Sequence, residues 1–227
     1  MLINADFSQR AAVASEQQQW IASPQSGVER VMLDRIGEEK ARATSLVRYA
    51  PNSHFPHHLH PGGEEILVLS GTFSADDDDY PAGWYLRNPP KSGHKPHSLD
   101  GAIIFVKLHQ MLASEERYVA IDTHDETNWQ TEDKRMVCPL FTDDNEQVSL
   151  QRLNANERLF TDTIHGGAEV LVLAGELIEG AQSYQRHSWL RLPIDAQPSI
   201  AAGEQGATVY LKTGHLLSII GADLIGL

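Results

Sequence analysis

The stretch "HFPHHLHPGGEEILVLSG", residues 54–71, sets four histidines and two glutamates at the front of a strongly apolar run. Its reading decides the fold, because the chain carries a second copy of it. "HPGGEEILVLSG" (60–71) aligns with "IHGGAEVLVLAG" (164–175), a shift of 104 residues. The same shift, without gaps, pairs "SLVRYAPN" (45–52) with "SLQRLNAN" (149–156) and "GWYLRNPP" (83–90) with "HSWLRLPI" (187–194). Three blocks held in one register mark a tandem of two similar units, each about a hundred residues long.

Within a unit the segments are short, rich in Val, Ile, Leu, Phe and Tyr, and separated by turn residues. "EILVLSGTFSADDDDYPAGWYLR" reads as strand, turn, strand, and "AIIFVKL" (102–108) matches "ATVYLKT" (207–213) with a one-residue change of register. Helical periodicity is confined to "SQRAAVASEQQQW" near the start. Many short strands with regular turns predict an all-β sandwich or barrel. The repeated Gly62-Gly63 and Gly166-Gly167 predict a tight turn that needs positive φ. The expected organisation is an N-terminal segment (1–19), a first unit (20–113) and a second unit (114–227).

The 227 residues are 41% apolar and 22% charged, an ordinary balance for a globular protein. No apolar run approaches the roughly 20 residues that span a bilayer, and the N-terminus lacks the basic-then-apolar pattern of a secretory signal. The single cysteine, Cys138, forms no internal disulfide, which fits a reducing compartment. A cytoplasmic protein without membrane attachment is expected. The formal charge of −13 argues against nucleic acid as a partner, since phosphate neutralisation needs Lys and Arg. Residues 1–113 contribute −3 of that charge and hold seven of the eleven histidines.

The candidate metal ligands are His58, His60, Glu64 and His94. In an extended strand alternate residues share a face, so His58 and His60 project together. Glu64 follows the Pro-Gly-Gly turn, and His94 comes from the next hairpin. The second copy acts as a control. At the shift of 104, His58 becomes Asp162, His60 becomes Ile164, Glu64 becomes Ala168 and His94 becomes Pro198. The framework residues Gly62, Gly63, Leu67, Val68, Leu69, Glu65, Gly71, Leu86, Arg87 and Pro89 all recur. A polar cluster lost as a set while the framework stays reads as a metal site confined to the first unit, and it separates Glu64 as ligand from Glu65 as framework. His54 and His57 are read as rim residues, and His97 as lying outside the ligand set. Arg87 and Arg191 are expected in structural ion pairs, "DDDD" (76–79) in a solvated turn, and Cys138 as a buried inert thiol.

These residues resemble a known family. "HLHPGGEEILVLSG" fits the first cupin motif, and "GWYLRNPPKSGH" resembles the second. The resemblance implies tandem double-stranded β-helix, or jelly-roll, barrels: a bicupin. More narrowly, residues 20–108 are similar to the cupin domain of ChrR-type anti-sigma factors, whose zinc ligands fall where His58, His60, Glu64 and His94 stand. ChrR-type regulators also carry an N-terminal helical zinc domain, with a His and a Cys-x-x-Cys, that holds the sigma factor. That pattern is absent from the residues preceding the cupin, so a sigma factor is a candidate partner whose usual binding domain is not expected here.

The resemblance implies a zinc-dependent sensor of transcription regulation, or a binding protein for a small-molecule ligand, and a homodimer. An alternative is an Fe-dependent dioxygenase acting on a diketone-type or hydroxyketone compound. A third is a scaffold without active metal. Three imidazoles and a carboxylate suit one divalent ion: zinc if the set closes tetrahedrally, Fe, Mn or Ni if positions stay open. No catalytic residue follows from the sequence. Phe55, Ile66, Val68, Trp84, Leu86 and Phe105 are candidate walls of the barrel interior.

Overall fold

In the computed structural model, residues 1–38, 40–133 and 135–222 are described, and the chain is all-β, with 56% of residues in strands and 3% in helix. It divides into two compact units. Unit 1 holds Met1–Ala5, Gln19–His124 and the described end of the chain from Ile220, and unit 2 holds Asp6–Gln18 and Asp125–Ile219.

The strands that carry unit 1 are β1 (Val28–Gly37), β2 (Ala41–Tyr49), β3 (His58–His60), β4 (Glu64–Ala75), β5 (Trp84–Asn88), β6 (Ser92–His94) and β7 (Ala102–Leu108). Those of unit 2 are β8 (Arg135–Thr142), β9 (Gln147–Leu153), β10 (Ala168–Glu179), β11 (Trp189–Leu192) and β12 (Ala201–Thr213). The main sheet of unit 1 runs β1-β2-β7-β4-β5, and that of unit 2 runs β8-β9-β12-β10-β11, antiparallel throughout. The internal repeat is therefore visible as one strand order used twice. β3 and β6 form a separate two-stranded sheet.

The segment with helical periodicity does not form an α-helix. It contributes a short strand, Ala11–Val13, paired with β11, followed by one 3₁₀ turn at Ser15–Gln17. A helix this short gains too few internal hydrogen bonds to offset nucleation, whereas the exposed edge of β11 offers a ready ladder.

Period-2 alternation builds the interior of unit 1. Ile66, Val68, Phe73, Leu86, Ala102, Ile104 and Val106 form one buried cluster, with Trp84 packed against it. Each of the Ile, Val, Leu and Phe side chains among them contributes about 1.5–3 kcal/mol on burial. Phe105 is buried too, but as the odd residue between Ile104 and Val106 it lies on the opposite face of β7. That face carries a second layer. Arg87 Nη1 lies 3.1 Å from Glu65 Oε2, both buried, and Lys107 stands opposite Glu65 in the ladder. Unit 2 repeats the arrangement, with Arg191 and Lys212 in register with Glu169.

The Gly-Gly turn splits the expected backbone role between its residues. Gly63 has φ +78° and Gly167 +70°. Gly62 and Gly166 have ordinary φ and are fixed by space instead: a Cβ on Gly62 would lie 2.5 Å from the His109 ring, and one on Gly166 2.4 Å from Gly214 Cα.

One irregularity shapes the interior. The β1–β2 ladder shifts register between Met32 and Asp34. Before it, Val28 and Arg30 face inward opposite Tyr49 and Val47. After it, Arg35 rather than Asp34 takes the inward face, opposite Ala43. Asp34 turns to the other face, where it is fully buried 3.4 Å from Arg42 Nη1. A bulge inserts one residue and so exchanges the faces of everything beyond it.

Candidate metal centre

The β3–β6 pair builds the core of the site. Its register sets His58 opposite His94 and His60 opposite Ser92. Gly93 permits the close approach, since a Cβ there would lie 2.6 Å from the His58 carbonyl oxygen. The turn at Pro61–Gly63 then reverses the chain and brings in Glu64 as the first residue of β4.

Three of the sequence-predicted residues, His58, His60 and His94, come together, and Glu64 lies against two of them. One ring nitrogen from each of His58, His60 and His94 lies within 4.8 Å of the others. His60 Nε2 is 3.3 Å from His94 Nε2, and Glu64 Oε2 is 3.4 Å and 3.6 Å from those two atoms. A tetrahedral ion with bonds of 2.0–2.1 Å has donor–donor edges of about 3.3–3.4 Å. The three donors thus already sit at the spacing of one face of such a polyhedron, and the donor set fits a divalent cation.

His60, Glu64 and His94 are buried, and His58 is exposed. Burial, reinforced by the neighbouring imidazoles, holds His60 down to about 3, and burial with the nearby His58 holds His94 down to about 4. Burial pushes Glu64 up to about 8. All three shifts express the same fact: the pocket disfavours charge on each group alone. A dication reverses that balance, because it needs neutral imidazoles and an ionised carboxylate.

Supporting bonds fix two of the candidate ligands. The His58 Nδ1 position lies 3.3 Å from the Pro56 carbonyl oxygen, which leaves Nε2 for an ion. Asn88 Nδ2 donates to Glu64 Oε2 at 3.2 Å, across the β4–β5 ladder. Asn88 was not among the residues singled out from sequence, yet the repeat contains its signal. Its counterpart is Leu192, which stands opposite Ala168 as Asn88 stands opposite Glu64. In unit 2 Ile164, Ala168 and Leu192 all join the buried apolar cluster, so hydrocarbon packs where unit 1 places its polar set.

His58, His60 and Glu64 do not face a solid core. A cavity of about 500 Å³ opens beside them, walled by Val28, Val47, Phe55, Ile104, Val106 and Leu108, with His58, His60 and Glu64 at one end. Of the expected wall residues, only Phe55 lines this space. Arg30, Arg35 and Tyr49 also reach it. Arg30 left a trace in the sequence, as a charged residue in phase with Val28 and Met32. Arg35 left none, because the bulge sets its phase. His54 and His97 stack on each other with ring centroids 5.5 Å apart, outside the cavity lining. Cys138 is buried, which raises its thiol to about 11.

Residues 8–112 match the family model described as ChrR Cupin-like domain. No curated protein matches the sequence. Among solved structures, a protein from Nostoc punctiforme provisionally named a dioxygenase aligns at 14% identity over 97% of this chain and 85% of that one, TM-score 0.68. The bacterial pirin YhhW from Escherichia coli, in complex with nickel(II), aligns at 12% identity over 90% and 98%, TM-score 0.67. A Cupin 2 conserved barrel domain protein from Leptotrichia buccalis aligns at 14% identity over 94% and 100%, TM-score 0.61. At these identities the likeness is one of fold, and the fold is cupin-like. Among the described residues no helix is long and apolar enough to cross a membrane.

Proposed function

We propose that this chain is a bicupin that holds one divalent metal ion through His58, His60, Glu64 and His94, and that it binds a small molecule at that ion. The observation that carries this reading is the cluster of His58, His60 and His94, with Glu64 against His60 and His94, beside an open cavity. A purely structural ion would be closed off on all sides, whereas this one would face a chamber of ligand size. Unit 2, whose corresponding positions are apolar, serves as scaffold.

The finer reading is a zinc-dependent sensor or regulatory protein. The ChrR cupin-like match over residues 8–112 supports it, as do the tetrahedral donor spacings. In this reading the protein acts in the cytoplasm as a homodimer, and the small ligand rather than a sigma factor is its main partner. The alternative is an Fe-dependent dioxygenase acting on a diketone-type or hydroxyketone compound. The chamber favours it, since substrate and O₂ both need access to the ion.

Metal analysis of protein purified without added metal, combined with oxygen uptake, tests both. One equivalent of zinc and no oxygen uptake supports the sensor. Iron with oxygen uptake on a diketone supports the dioxygenase. Protein that takes up no divalent ion after dialysis against zinc, iron, manganese or nickel sinks both readings.

A further inference from the structure

The cavity beside the metal site carries a charge that the rest of the protein does not predict. The chain is strongly acidic, with a net charge of −13. Yet the cavity lining includes Arg30, Arg35 and Lys40, and among the described residues its one carboxylate is Glu64, the candidate ligand. Arg35 is only 8% exposed. Its guanidinium donates through Nε to the Gly37 carbonyl, at 3.2 Å, and through Nη2 to the Glu38 carbonyl. Arg30 donates through Nη2 to Ser23 Oγ. Among the described residues neither guanidinium makes an ion pair with a carboxylate. Arg35 is held below its usual range first by burial and then by the positive charge of Arg30, with the charge of Glu38 acting the other way, so the two cations act on each other.

Two guanidinium groups on one wall, one of them buried, cost free energy that an anion between them recovers. The guanidinium fork matches a carboxylate in plane and spacing. Between this wall and the metal site lie Val47, Ile104, Val106 and Leu108, which suit a short hydrocarbon body.

We infer that the cavity of unit 1 binds a small organic carboxylate with a second oxygen-bearing end: Arg30 and Arg35 hold the carboxylate, and the second end reaches the His58–His60–Glu64–His94 site. The inference rests on the proposed metal site for its second end alone. The arginine end stands on the cavity by itself.

The test is titration calorimetry of the full chain, metal-free and zinc-loaded, with succinate and 2-oxoglutarate. Inorganic phosphate and the neutral diester dimethyl succinate are the controls. The expected result is binding of a dicarboxylate but not the diester, weakened about tenfold or more in Arg30→Gln and Arg35→Gln. Arg30→Lys should keep part of the affinity, and Arg48→Gln, outside the cavity, should keep all of it. Arginine-dependent binding that persists without metal and does not strengthen with it upholds the anion site while counting against the metal reading. Overturning results are no dicarboxylate binding in either state, equal binding of the diester, tighter binding of phosphate than of dicarboxylate, or unchanged affinity in folded Arg30→Gln and Arg35→Gln.

Discussion

His58 lies opposite His94 across the antiparallel β3–β6 pair, with the two rings 5.1 Å apart and Gly93 holding the strands close. That pairing joins candidate ligands 36 positions apart in sequence. His60, on the same strand as His58, brings its Nε2 to 3.3 Å from that of His94. A cation held this way depends most on the buried donors. Replacing His60 or His94 with alanine should weaken zinc binding by about a hundredfold or more, beyond the usual effect of losing a supporting contact. His58→Ala should cost less, because water can replace an exposed ligand. Competition with a chromophoric chelator measures all three, and equal, near-native affinities would refute the assignment.

Asn88 touches no ion in this arrangement but orients one ligand, through its 3.2 Å bond to Glu64 Oε2. Asn88→Ala should lower metal affinity by about 10–100-fold while leaving one ion per chain. Asn88→Asp should be worse still, because it places a second carboxylate against Glu64. The same chelator assay decides. If Asn88→Ala matched wild type, the bond would have no role in metal binding.

Glu65 should behave unlike its neighbour Glu64. It is buried against Arg87 on the opposite face of the sheet. Glu65→Ala leaves a buried guanidinium short of its counter-charge, which costs about 3–5 kcal/mol of stability. Glu64→Gln should instead abolish tight metal binding with little loss of stability in the metal-free protein. Denaturant unfolding and metal stoichiometry, measured on both variants, separate the roles. Interchanged outcomes would mean that the two glutamates had been assigned the wrong way round.

The metal-free protein should show two opposite pH dependences. His60 and His94 sit near 3 and 4 when folded, below the ordinary 6.5. The unfolded chain therefore binds more protons between those values, and this contribution makes stability fall as pH drops below about 6.5. Glu64 sits near 8, above the ordinary 4.5. The folded state then holds the extra proton, and stability falls as pH rises from about 4.5 towards 8, by on the order of a few kcal/mol. Glu64→Gln should remove the loss on the alkaline side alone. Thermal unfolding between pH 4 and pH 8, without metal, measures both arms. An unchanged alkaline fall in Glu64→Gln would exclude that carboxyl as its source.

The sequence by itself determined the repeat, the alternating strands and the histidines that cluster at His58, His60 and His94. It could do so because a strand's faces follow from period 2, and because the second copy drops the ligands while keeping Gly63, Glu65, Leu86 and Arg87. The same comparison contains Asn88, lost to Leu192 along with Glu64. Tertiary structure alone decided the rest. The bulge after Met32 depends on how β1 meets β2, and it turns Arg35 into the cavity and Asp34 out of it. Ala11–Val13 became a strand because β11 offered it an edge. Both outcomes rest on hydrogen bonds to residues far away in the chain, and such pairing leaves no mark in the local pattern of side chains.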